Sequence, residues 1–510
     1  MSAKFDLLSE PLITVQAAGG PLAMSLPALL ASLSEGDEVQ GFPALQPHQK
    51  HAWFAFLVQL AGLVHARVGD PGSDEATWRD HLLTLAEHPT AFCLVVPDLQ
   101  QPGFLQPPVN PADLKGEAAS PDTLDILVTT KVHDVKATRL ITPTPEHWLF
   151  ALLNLQTMQG FSGRANYGIV RMNGGFSNRP GIGLAPGPGF AARFRRDLGV
   201  LLGQREKLSE HYDTQGHALL WTVPWTDDAS LGLTQLDPFF IEICRRVRLI
   251  ARDGVLLART GPSNTARTQA SESKGNVGDI WTPVEVGADV SKAITIDARG
   301  IDWRRLHELL MGERFTPGPA QKATSQDPNH IWLSTWALVR GQGKTEGLFE
   351  RWLELPPKIS GFLRKPEAWQ QILQTAKGRI AHVDLMERDV LGRAVLRLVD
   401  DKPAKRSDHT GHLNRFESRL EAWADQQFFP LLWRDADLPD ATRDDAWKID
   451  LWTQAARIFG EAAEETPMPS PRRYARRSRA EGLLLFLRNK HFPDLKDLLK
   501  RMRLEEGVSP

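Results

Sequence analysis

The spacing of proline, glycine and apolar residues changes near Pro366, and this change limits what the chain can fold into. Before it, strand-like runs such as FDLLSEPLITVQ and AFCLVV alternate with turn-rich segments. After it, apolar residues recur with the 3.6-residue period of helices in residues 367–399, 412–433, 441–463 and 472–492. The pattern predicts an α+β protein. We expect a large mixed α/β domain over residues 1–360, followed by a C-terminal four-helix bundle over residues 361–510.

Three further segments of the first domain give a local prediction. Residues 48–68 have helical periodicity and enough apolar side chains to be buried on most sides. Residues 145–159 are predicted to form a helix that leads into a glycine-rich region, and residues 121–142 a strand-like run followed by a basic loop. We expect most of the 15 tryptophans to fill the core.

Composition excludes several classes of protein. The net charge of −2 argues against a wholly basic nucleic-acid binder, so any such affinity must come from a local patch. Cys93 and Cys244, without a CxxC motif, suggest neither a zinc site nor a disulfide framework. No apolar run reaches the roughly 20 residues that span a bilayer, and acids stand where a signal peptide would be apolar. We therefore expect a cytoplasmic protein with no membrane partner, metal or cofactor.

One long segment is free of carboxylates. From Trp148 to Arg196 there is no Asp or Glu, and nine glycines lie between Gly160 and Gly189. The segment contains Arg164, Arg171, Arg179, Arg193, Arg195 and Arg196. Glycine permits close backbone approach to a ligand, and arginine provides a planar fork suited to phosphate. The segment therefore predicts a site for a polyanion, of which nucleic acid is the obvious example.

Four groups of residues are candidates for binding. In residues 160–166, which we call the glycine loop, the candidates are Gly160, Phe161, Ser162, Gly163, Arg164 and Asn166; the alternative is a plain turn with solvated arginines. An upstream basic loop contains Lys131, His133, Lys136 and Arg139. A later polar loop runs from Arg267 to Lys274. On one predicted helical face lie Arg472, Arg473, Arg476 and Arg477, either as phosphate contacts or as a solvated face of the bundle.

Catalytic signatures are missing from the sequence. There is no HExxH, GxSxG or EF-hand pattern. Residues 340–345, RGQGKT, resemble the end of a phosphate-binding loop, but the first loop glycine is replaced by Leu338. The pair His133 and Asp134 has no accompanying nucleophile or metal cluster. We therefore predict a non-enzyme. An enzyme that acts on nucleotides or nucleic acid through one of these two segments remains the alternative.

Several motifs follow one another in an order typical of one family. They are FDLLSEPLITV, DILVTTKVHDVKATRL, LLNLQTMQGFSGRANYGIVRMNGGFSNRP, GNVGDIWTPV, LHELLMGERF and HTGHLNRFESRLEAWADQQFFPLLW. In these motifs the chain resembles the CasA-type large subunit of the type I-E CRISPR Cascade surveillance complex. The resemblance covers most of the chain and is strongest between residues 121 and 320.

The resemblance implies a non-catalytic subunit that recognises the protospacer-adjacent motif (PAM) in duplex DNA and helps to open the duplex. The implied partners are other Cascade subunits, the CRISPR guide RNA, target double-stranded DNA and a helicase–nuclease recruited after R-loop formation. A purely structural scaffold of the complex is a further alternative.

The resemblance also assigns roles to residues. The glycine loop and a lysine, Lys274 first and Arg267 second, would approach the PAM from the minor groove. A wedge that splits the duplex would comprise Thr316, Pro317, Gly318, Pro319, Ala320 and Gln321, with Gln321 as its polar tip. The basic loop with Lys131, His133, Lys136 and Arg139 would dock near the 5′ end of the guide RNA.

Overall fold

The computed structural model describes residues 4–125, 142–175, 177–226, 229–287, 289–341, 344–399, 405–467 and 473–505. The chain divides into two compact units. One, the mixed unit, comprises Met1–Ile301 and Gly312–Glu354; the other, the helical unit, comprises Asp302–Met311 and Leu355–Pro510. The predicted α+β class and the C-terminal helix bundle are confirmed. In the sequence, the two units meet between Glu354 and Leu355, a few residues before the predicted boundary. The predicted boundary, residue 360, lies inside a short helix, Pro357–Leu363.

The helices of the mixed unit include one that is buried along most of its length. They are α1 (Leu26–Glu35), α2 (Lys50–Arg67), α3 (Glu75–Ala86), α4 (Pro121–Leu124), α5 (Pro145–Met158), α6 (Phe190–Leu202) and α7 (Arg205–Leu208). Every residue of α2 from His51 to Val64 is buried, because the helix is apolar on all sides and packs against α5 and α6. The predicted helices at residues 48–68 and 145–159 are thus confirmed.

The strands of the mixed unit form small sheets, none with more than three strands among the described residues. They are β1 (Lys4–Asp6), β2 (Ile13–Ala17), β3 (Gly20–Met24), β4 (Cys93–Val95), β5 (Gly116–Ala118), β6 (Gly181–Ala185), β7 (His217–Leu219), β8 (Leu231–Gly232), β9 (Leu236–Ile241), β10 (Arg246–Arg252), β11 (Val255–Gly261), β12 (Thr268–Gln269), β13 (Val284–Glu285), β14 (Lys292–Ala293), β15 (Phe315–Thr316), β16 (Ile331–Gly341) and β17 (Lys344–Leu355). Two of these sheets have the strand orders β10-β11-β5 and β17-β16-β6.

The sheet β17-β16-β6 places the glycine-rich segment against the longest strands. β6 is antiparallel to β16, with Gly181 opposite Trp336 and Ala185 opposite Trp332. A Cβ atom at Gly181 would lie 2.1 Å from the ring of Trp336, so this position accepts only glycine. The indole of Trp336 in turn stacks on His51 of α2, with ring centroids 4.0 Å apart. The end of the glycine-rich segment is thereby fixed to the core.

One local prediction is wrong. The run that begins at residue 121 starts as the short helix α4, not as a strand, because Pro121 occupies its first turn and the Ser120 hydroxyl accepts a hydrogen bond from the Thr123 N–H. Residues 126–141, the rest of this run, lie outside the described residues.

The helical unit contains α8 (Trp303–Met311), α9 (Pro357–Leu363), α10 (Pro366–Leu385), α11 (Gly392–Val399), α12 (Thr410–Arg434), α13 (Asp440–Glu465), α14 (Arg473–His491) and α15 (Leu495–Glu505). A π-helical turn, Met386–Leu391, joins α10 to α11. α8 belongs to this unit although its sequence interrupts the mixed unit. The ring of Trp303 lies 4.5 Å from that of Phe428, and its indole N–H donates to Glu421.

Candidate nucleic-acid interface

The glycine loop leaves α5 and returns to the core through a closely packed base. The Gly160 N–H donates to the Ser177 carbonyl at 3.2 Å, and the Arg245 guanidinium donates to the Gly160 carbonyl at 3.1 Å. After Gly160 the loop closes on itself, since the Ser162 N–H donates to the Asn166 carbonyl at 3.0 Å. Phe161, Ser162 and Arg164 are exposed. The base is therefore fixed while the tip faces solvent.

Glycines in this region have two different functions. A Cβ atom at Gly160 would lie 2.3 Å from the Gly175 carbonyl oxygen, and one at Gly168 would lie 2.6 Å from the Gly160 carbonyl carbon. These two glycines allow backbone segments of the protein to touch, so they are not available to a ligand. Gly163 differs: its φ is +109° and a Cβ there would meet nothing within 4 Å. Within residues 160–168, Gly163 is the glycine with the open surroundings that close approach to a ligand requires.

The turn that carries Lys274 packs on the segment that follows the glycine loop, although it is distant in the sequence. Gly275 packs so closely that a Cβ there would lie 2.6 Å from the Met172 carbonyl carbon and 2.8 Å from the Asn173 nitrogen. The same segment, through Gly175, touches Gly160. The Lys274 turn, residues 172–175 and Gly160 therefore pack backbone against backbone in that order.

The exposed and half-buried residues of the loop tip and of the Lys274 turn offer cationic and apolar groups to solvent. We call this set of residues the glycine-loop surface; it comprises Phe161, Ser162, Gly163, Arg164, Asn166 and Lys274. In the part of the chain that the structure describes, neither the Arg164 guanidinium nor the Lys274 ammonium makes a hydrogen bond or an ion pair. Lys274 is held with φ of +44°, in the left-handed region that a non-glycine residue rarely occupies. Two cations without internal partners are what a site for an anionic ligand requires.

The other five arginines of the carboxylate-free segment have contacts inside the protein, so the predicted polyanion site narrows to Arg164 in this segment. Their counter-charges and acceptors come from other segments. The contacts are Arg171 with Glu242 at 2.7 Å, Arg179 with Asp279 at 2.6 Å, Arg193 over the Phe54 ring at 4.0 Å, Arg195 with the Gly36 carbonyl at 2.6 Å and Arg196 with Asp327 at 2.8 Å.

Electrostatics agrees with this internal role. Burial lowers the pKa of Arg193 to about 10, against the opposing effect of Asp197. Burial by itself would raise the pKa of the Asp279 carboxyl, but the charge and hydrogen bonds of Arg179 lower it overall. These side chains hold the glycine-rich segment to the core.

Arg267, the second candidate for the DNA-contacting cation, lies in the interior. It is 3% exposed, and its guanidinium donates to the carbonyls of Leu220 at 2.7 Å and Val223 at 2.8 Å. Burial lowers its pKa to about 10. The assignment of Arg267 to a DNA contact is wrong, because the side chain is buried and both terminal nitrogens of its guanidinium already donate to backbone carbonyls.

The segment predicted as a wedge is packed into the mixed unit. Gln321 is 7% exposed and its side-chain oxygen accepts the Gly318 N–H at 2.8 Å. Ala320 is fully buried and its N–H donates to the Ile280 carbonyl at 2.9 Å. Pro317 and Pro319 are half-buried, which leaves Thr316 as the exposed member. A wedge must project into solvent, so the assignment to residues 316–321 is wrong.

The end of the β16–β17 hairpin lies next to the base of the glycine loop instead. The Arg340 N–H donates to the Ser177 hydroxyl at 3.3 Å, and its guanidinium donates to the Gln159 side chain. β6 pairs with β16 only from Trp332 to Trp336, so the hairpin extends beyond that strand. Two apolar runs around a Gly-Gln-Gly turn are typical of a hairpin, and this signal in the sequence could have identified the element.

The hairpin also argues against a phosphate-binding loop at residues 340–345, RGQGKT. In a phosphate-binding loop the lysine begins a helix, whereas Lys344 begins strand β17. The helix N-terminus that would hold a phosphate is therefore missing from this position.

The C-terminal arginines are engaged within the helical unit. Arg473 lies 2.9 Å from Glu464, Arg477 pairs with Glu464 and Glu481, and the Arg476 guanidinium donates to the Val399 carbonyl at 3.0 Å. The ion pairs of Arg473 and Arg477 and the carbonyl partner of Arg476 favour the alternative, a face of the bundle, and the phosphate contacts stay a prediction. Arg472 lies outside the described residues, as do Lys131, His133, Lys136 and Arg139.

The described residues contain neither a metal-ligand cluster nor a membrane-spanning helix. No group of three or more His, Cys, Asp or Glu side chains in the described ranges is arranged to hold a metal ion. Among the helices of those ranges, none has both the length and the apolarity to cross a membrane.

Known proteins resemble this chain in structure more clearly than in sequence. No protein-family model and no curated protein matches the sequence. Among solved structures, CasA from Thermus thermophilus matches with a TM-score of 0.65 at 16% identity, over 96% of this chain and 100% of the other. Cse1 from Acidimicrobium ferrooxidans matches with a TM-score of 0.63 at 15% identity, over 95% and 98% of the two chains.

A chain in a structure of a CRISPR RNA-guided surveillance complex matches with a TM-score of 0.60 at 12% identity, over 95% of this chain and all of that one. The matches span both units, so the resemblance drawn from the sequence motifs is confirmed at the level of the fold. The chain has the fold of the CasA (Cse1) proteins.

Proposed function

We propose that this protein is the large subunit of a CRISPR RNA-guided surveillance complex and that its glycine-loop surface recognises the PAM in duplex DNA. The observation that carries the proposal is that the turn bearing Lys274 packs, through Gly275, on Met172 and Asn173, in the same segment whose Gly175 lies against Gly160. The shared fold over almost the whole of both chains supports the choice of complex.

The chemistry of this surface suits readout from the minor groove. Gly163 has no side chain to obstruct close approach, and Lys274 offers a single cationic donor to the acceptors on the base edges. Because A·T and T·A pairs present similar acceptors in this groove, such a reader tolerates several related PAM sequences. Arg164 would contact a phosphate, which positions the duplex without reading its sequence. Guide RNA pairing would read the rest of the target, which is compatible with a net charge of −2.

The hairpin end is our candidate for the strand-separating element. It is anchored through Arg340 to Gln159 and Ser177, next to the base of the glycine loop. An element next to the PAM reader would stack against the first base pair of the target and offset part of an unstacking cost of a few kcal/mol per step. This element replaces residues 316–321 in the proposal.

Two partner assignments depend on the sequence resemblance alone. The basic loop with Lys131, His133, Lys136 and Arg139 would contact the guide RNA. A helicase–nuclease would bind after R-loop formation, and the chain itself would perform no catalysis.

The test compares three variants in the complex assembled with guide RNA. Lys274→Ala should weaken binding of PAM-containing duplex about tenfold, which is about 1.4 kcal/mol, and should reduce the preference for PAM over non-PAM duplex. Arg164→Ala should weaken both duplexes alike and lower the salt dependence of binding by about one ion. Lys490→Ala, an exposed lysine of α14, is the control and should change neither quantity.

Lys274→Asn separates charge from backbone geometry, since asparagine tolerates the left-handed conformation. It should keep the thermal stability of the chain and lose PAM preference as Lys274→Ala does. Unchanged discrimination among PAM variants in both Lys274 substitutions would contradict the assignment and favour a purely structural subunit.

The enzyme alternative is tested at the hairpin. Lys344→Ala should leave target binding measurable but reduce opening of the duplex next to the PAM, monitored by a fluorescent base analogue at the first target position. ATP-dependent turnover by the purified chain that Lys344→Ala abolishes would instead favour an enzyme.

A further inference from the structure

β17 is a long strand at the edge of its sheet. It has 12 residues, which at about 3.4 Å per residue is roughly 40 Å. The strand order is β17-β16-β6, and no strand among the described residues pairs with the outer side of β17. Alternate backbone N–H and C=O groups of an edge strand point away from its neighbour. The outer side of β17 therefore presents a row of hydrogen-bonding groups.

This edge lacks most of the features by which proteins protect such strands. Proteins protect edge strands by keeping them short, by proline or bulges, or by charged side chains along their length. Of these features β17 has the charged side chains, Glu346, Glu350, Arg351 and Glu354. β17 reads KTEGLFERWLEL, with no proline and with its one lysine at the first position. Except for Leu355, each of its residues whose side chain is described is half-buried or exposed. A long, accessible edge of this kind is a template for a further strand.

One face of β17 combines carboxylates with apolar side chains. Residues at alternate positions share a face, and here they are Glu346, Leu348, Glu350, Trp352 and Glu354. Leu348 is 38% exposed and Trp352 36%. Lys50 lies 3.5 Å from Glu350, and His330 lies 2.7 Å from Glu354. The face offers apolar contact area between negative charges at a regular spacing.

This pattern selects the chemistry of the occupant. Three carboxylates on one face repel the phosphates of RNA or DNA, so nucleic acid does not fit. They also oppose pairing of β17 with a second copy of itself, because like charges would face each other across the two strands. A segment in which lysine or arginine alternates with apolar residues complements both features.

We propose that β17 accepts an extended segment of another protein subunit of the complex as an additional strand. The inference goes beyond the proposed DNA recognition and rests on the proposed function only in that the partner belongs to the same complex. Backbone hydrogen bonds along β17 would supply affinity, and the alternating acidic and apolar side chains would select a basic, amphipathic strand. The same strand would hold the hairpin whose end adjoins the glycine loop.

Hydrogen exchange of the unmodified protein tests the proposal. Amide groups in residues 345–355 that exchange fast in the isolated chain should exchange at least about tenfold more slowly in the assembled complex, because new inter-strand hydrogen bonds protect them. β3, an edge strand of the β2–β3 pair, is the internal control and should not change. Unaltered exchange along β17 in a complex that has formed overturns this inference and leaves the proposed function intact. Failure of the chain to join the complex counts against the proposed function itself.

A photo-crosslinking residue in place of Leu348 identifies the occupant. We expect a crosslink to one subunit, within a segment that contains lysine or arginine; the same residue in place of Leu83, an exposed position on α3, should give none at that segment. Crosslinks to guide RNA or to a second copy of this chain overturn the proposal.

Charge reversal tests the role of the acidic face. Glu346→Lys, Glu350→Lys and Glu354→Lys combined should reduce retention in the complex about tenfold or more. The control is a triple variant with the same change in net charge at other exposed sites, Glu87→Lys, Glu206→Lys and Glu210→Lys. This control should not reduce retention in the complex. Equal retention of both triple variants contradicts the charge complementarity on which the choice of occupant rests.

Discussion

Gly160 shows how one residue limits the packing beneath the glycine-loop surface. The position has no room for a side chain, since a Cβ would lie 2.3 Å from the Gly175 carbonyl oxygen and 2.6 Å from that of Ser177. Both neighbours are backbone atoms and cannot move aside as a flexible side chain could. An acidic substitution at Gly160 therefore tests folding of the loop rather than DNA contact, and Lys274 and Arg164 are the better positions for binding experiments.

For Gly160→Ala we expect a loss of stability of about 1–3 kcal/mol from overpacking, seen as faster hydrogen exchange in residues 160–177 and a lower melting temperature. Gly187→Ala is the matched control, because a Cβ there would come no closer than 3.9 Å to the Trp332 ring. Equal stability of the two variants would contradict the packing described for the loop base.

Lys274 shows a different residue-scale effect. Its left-handed backbone is unfavourable for a side chain with a Cβ, by roughly 1–2 kcal/mol. Such strain persists where the surroundings impose it and often marks a functional position. Here the tight packing of Gly275 on Met172 and Asn173 imposes the turn, and the lysine side chain extends from it into solvent.

At the scale of elements, the π-helical turn between α10 and α11 carries an unusual carboxyl group. Burial, followed by the charges of Glu421 and Glu417, raises the pKa of Glu387 to about 7 against the opposing effect of Arg304. Arg304 binds Asp384 at 2.8 Å and Glu421 at 2.6 Å, so α8 is attached to the unit by a shared network of charges.

This network predicts a pH dependence. A carboxyl whose pKa is raised by folding stabilises the folded state most below its unfolded pKa, near 4.5, and that contribution is lost as pH rises through about 7. Glu387→Gln should therefore raise the melting temperature at about pH 8 and change it little at about pH 5. Glu367→Gln, in the first turn of α10, is the control. A shift that is the same at both pH values would contradict the assignment.

At the scale of the whole molecule, the helical unit is built from two separate stretches of chain. α8 precedes the last strands of the mixed unit in sequence but packs with α10 and α12. Trp303 is fully buried there, and its backbone N–H donates to Asp425 at 3.0 Å. The unit is therefore incomplete without a segment from the middle of the chain.

Trp303→Ala in the intact chain should destabilise the helical unit by about 3–5 kcal/mol, as is typical of a large aromatic residue removed from a core. Hydrogen exchange in α12 should become faster, while exchange in the buried helix α2 of the mixed unit should change little. Arg305→Ala, on the exposed side of α8, is the control. Equal effects of the two substitutions on α12 would contradict the role assigned to α8.

The sequence by itself determined the features that depend on neighbouring residues. The helical period after Pro366, the all-apolar α2 and the proline-initiated α5 are short-range patterns, and each became the predicted element. The position of Gly163 in an exposed turn was likewise predictable, because a turn is a local choice of backbone angles.

Only the tertiary structure decided which charges face solvent. Arg171 finds Glu242, Arg179 finds Asp279 and Arg267 finds the carbonyls of residues 220–224, partners far away in the sequence. The sequence of a segment without carboxylates does not reveal that distant segments supply its counter-charges. Likewise, the sequence of a polar loop does not reveal that its arginine is buried. For the same reason the packing of the Lys274 turn on residues 172–175, and of this segment on Gly160, is decided by the folded chain. Burial and ion pairing are set by what the folded chain brings together, and local patterns do not contain that information.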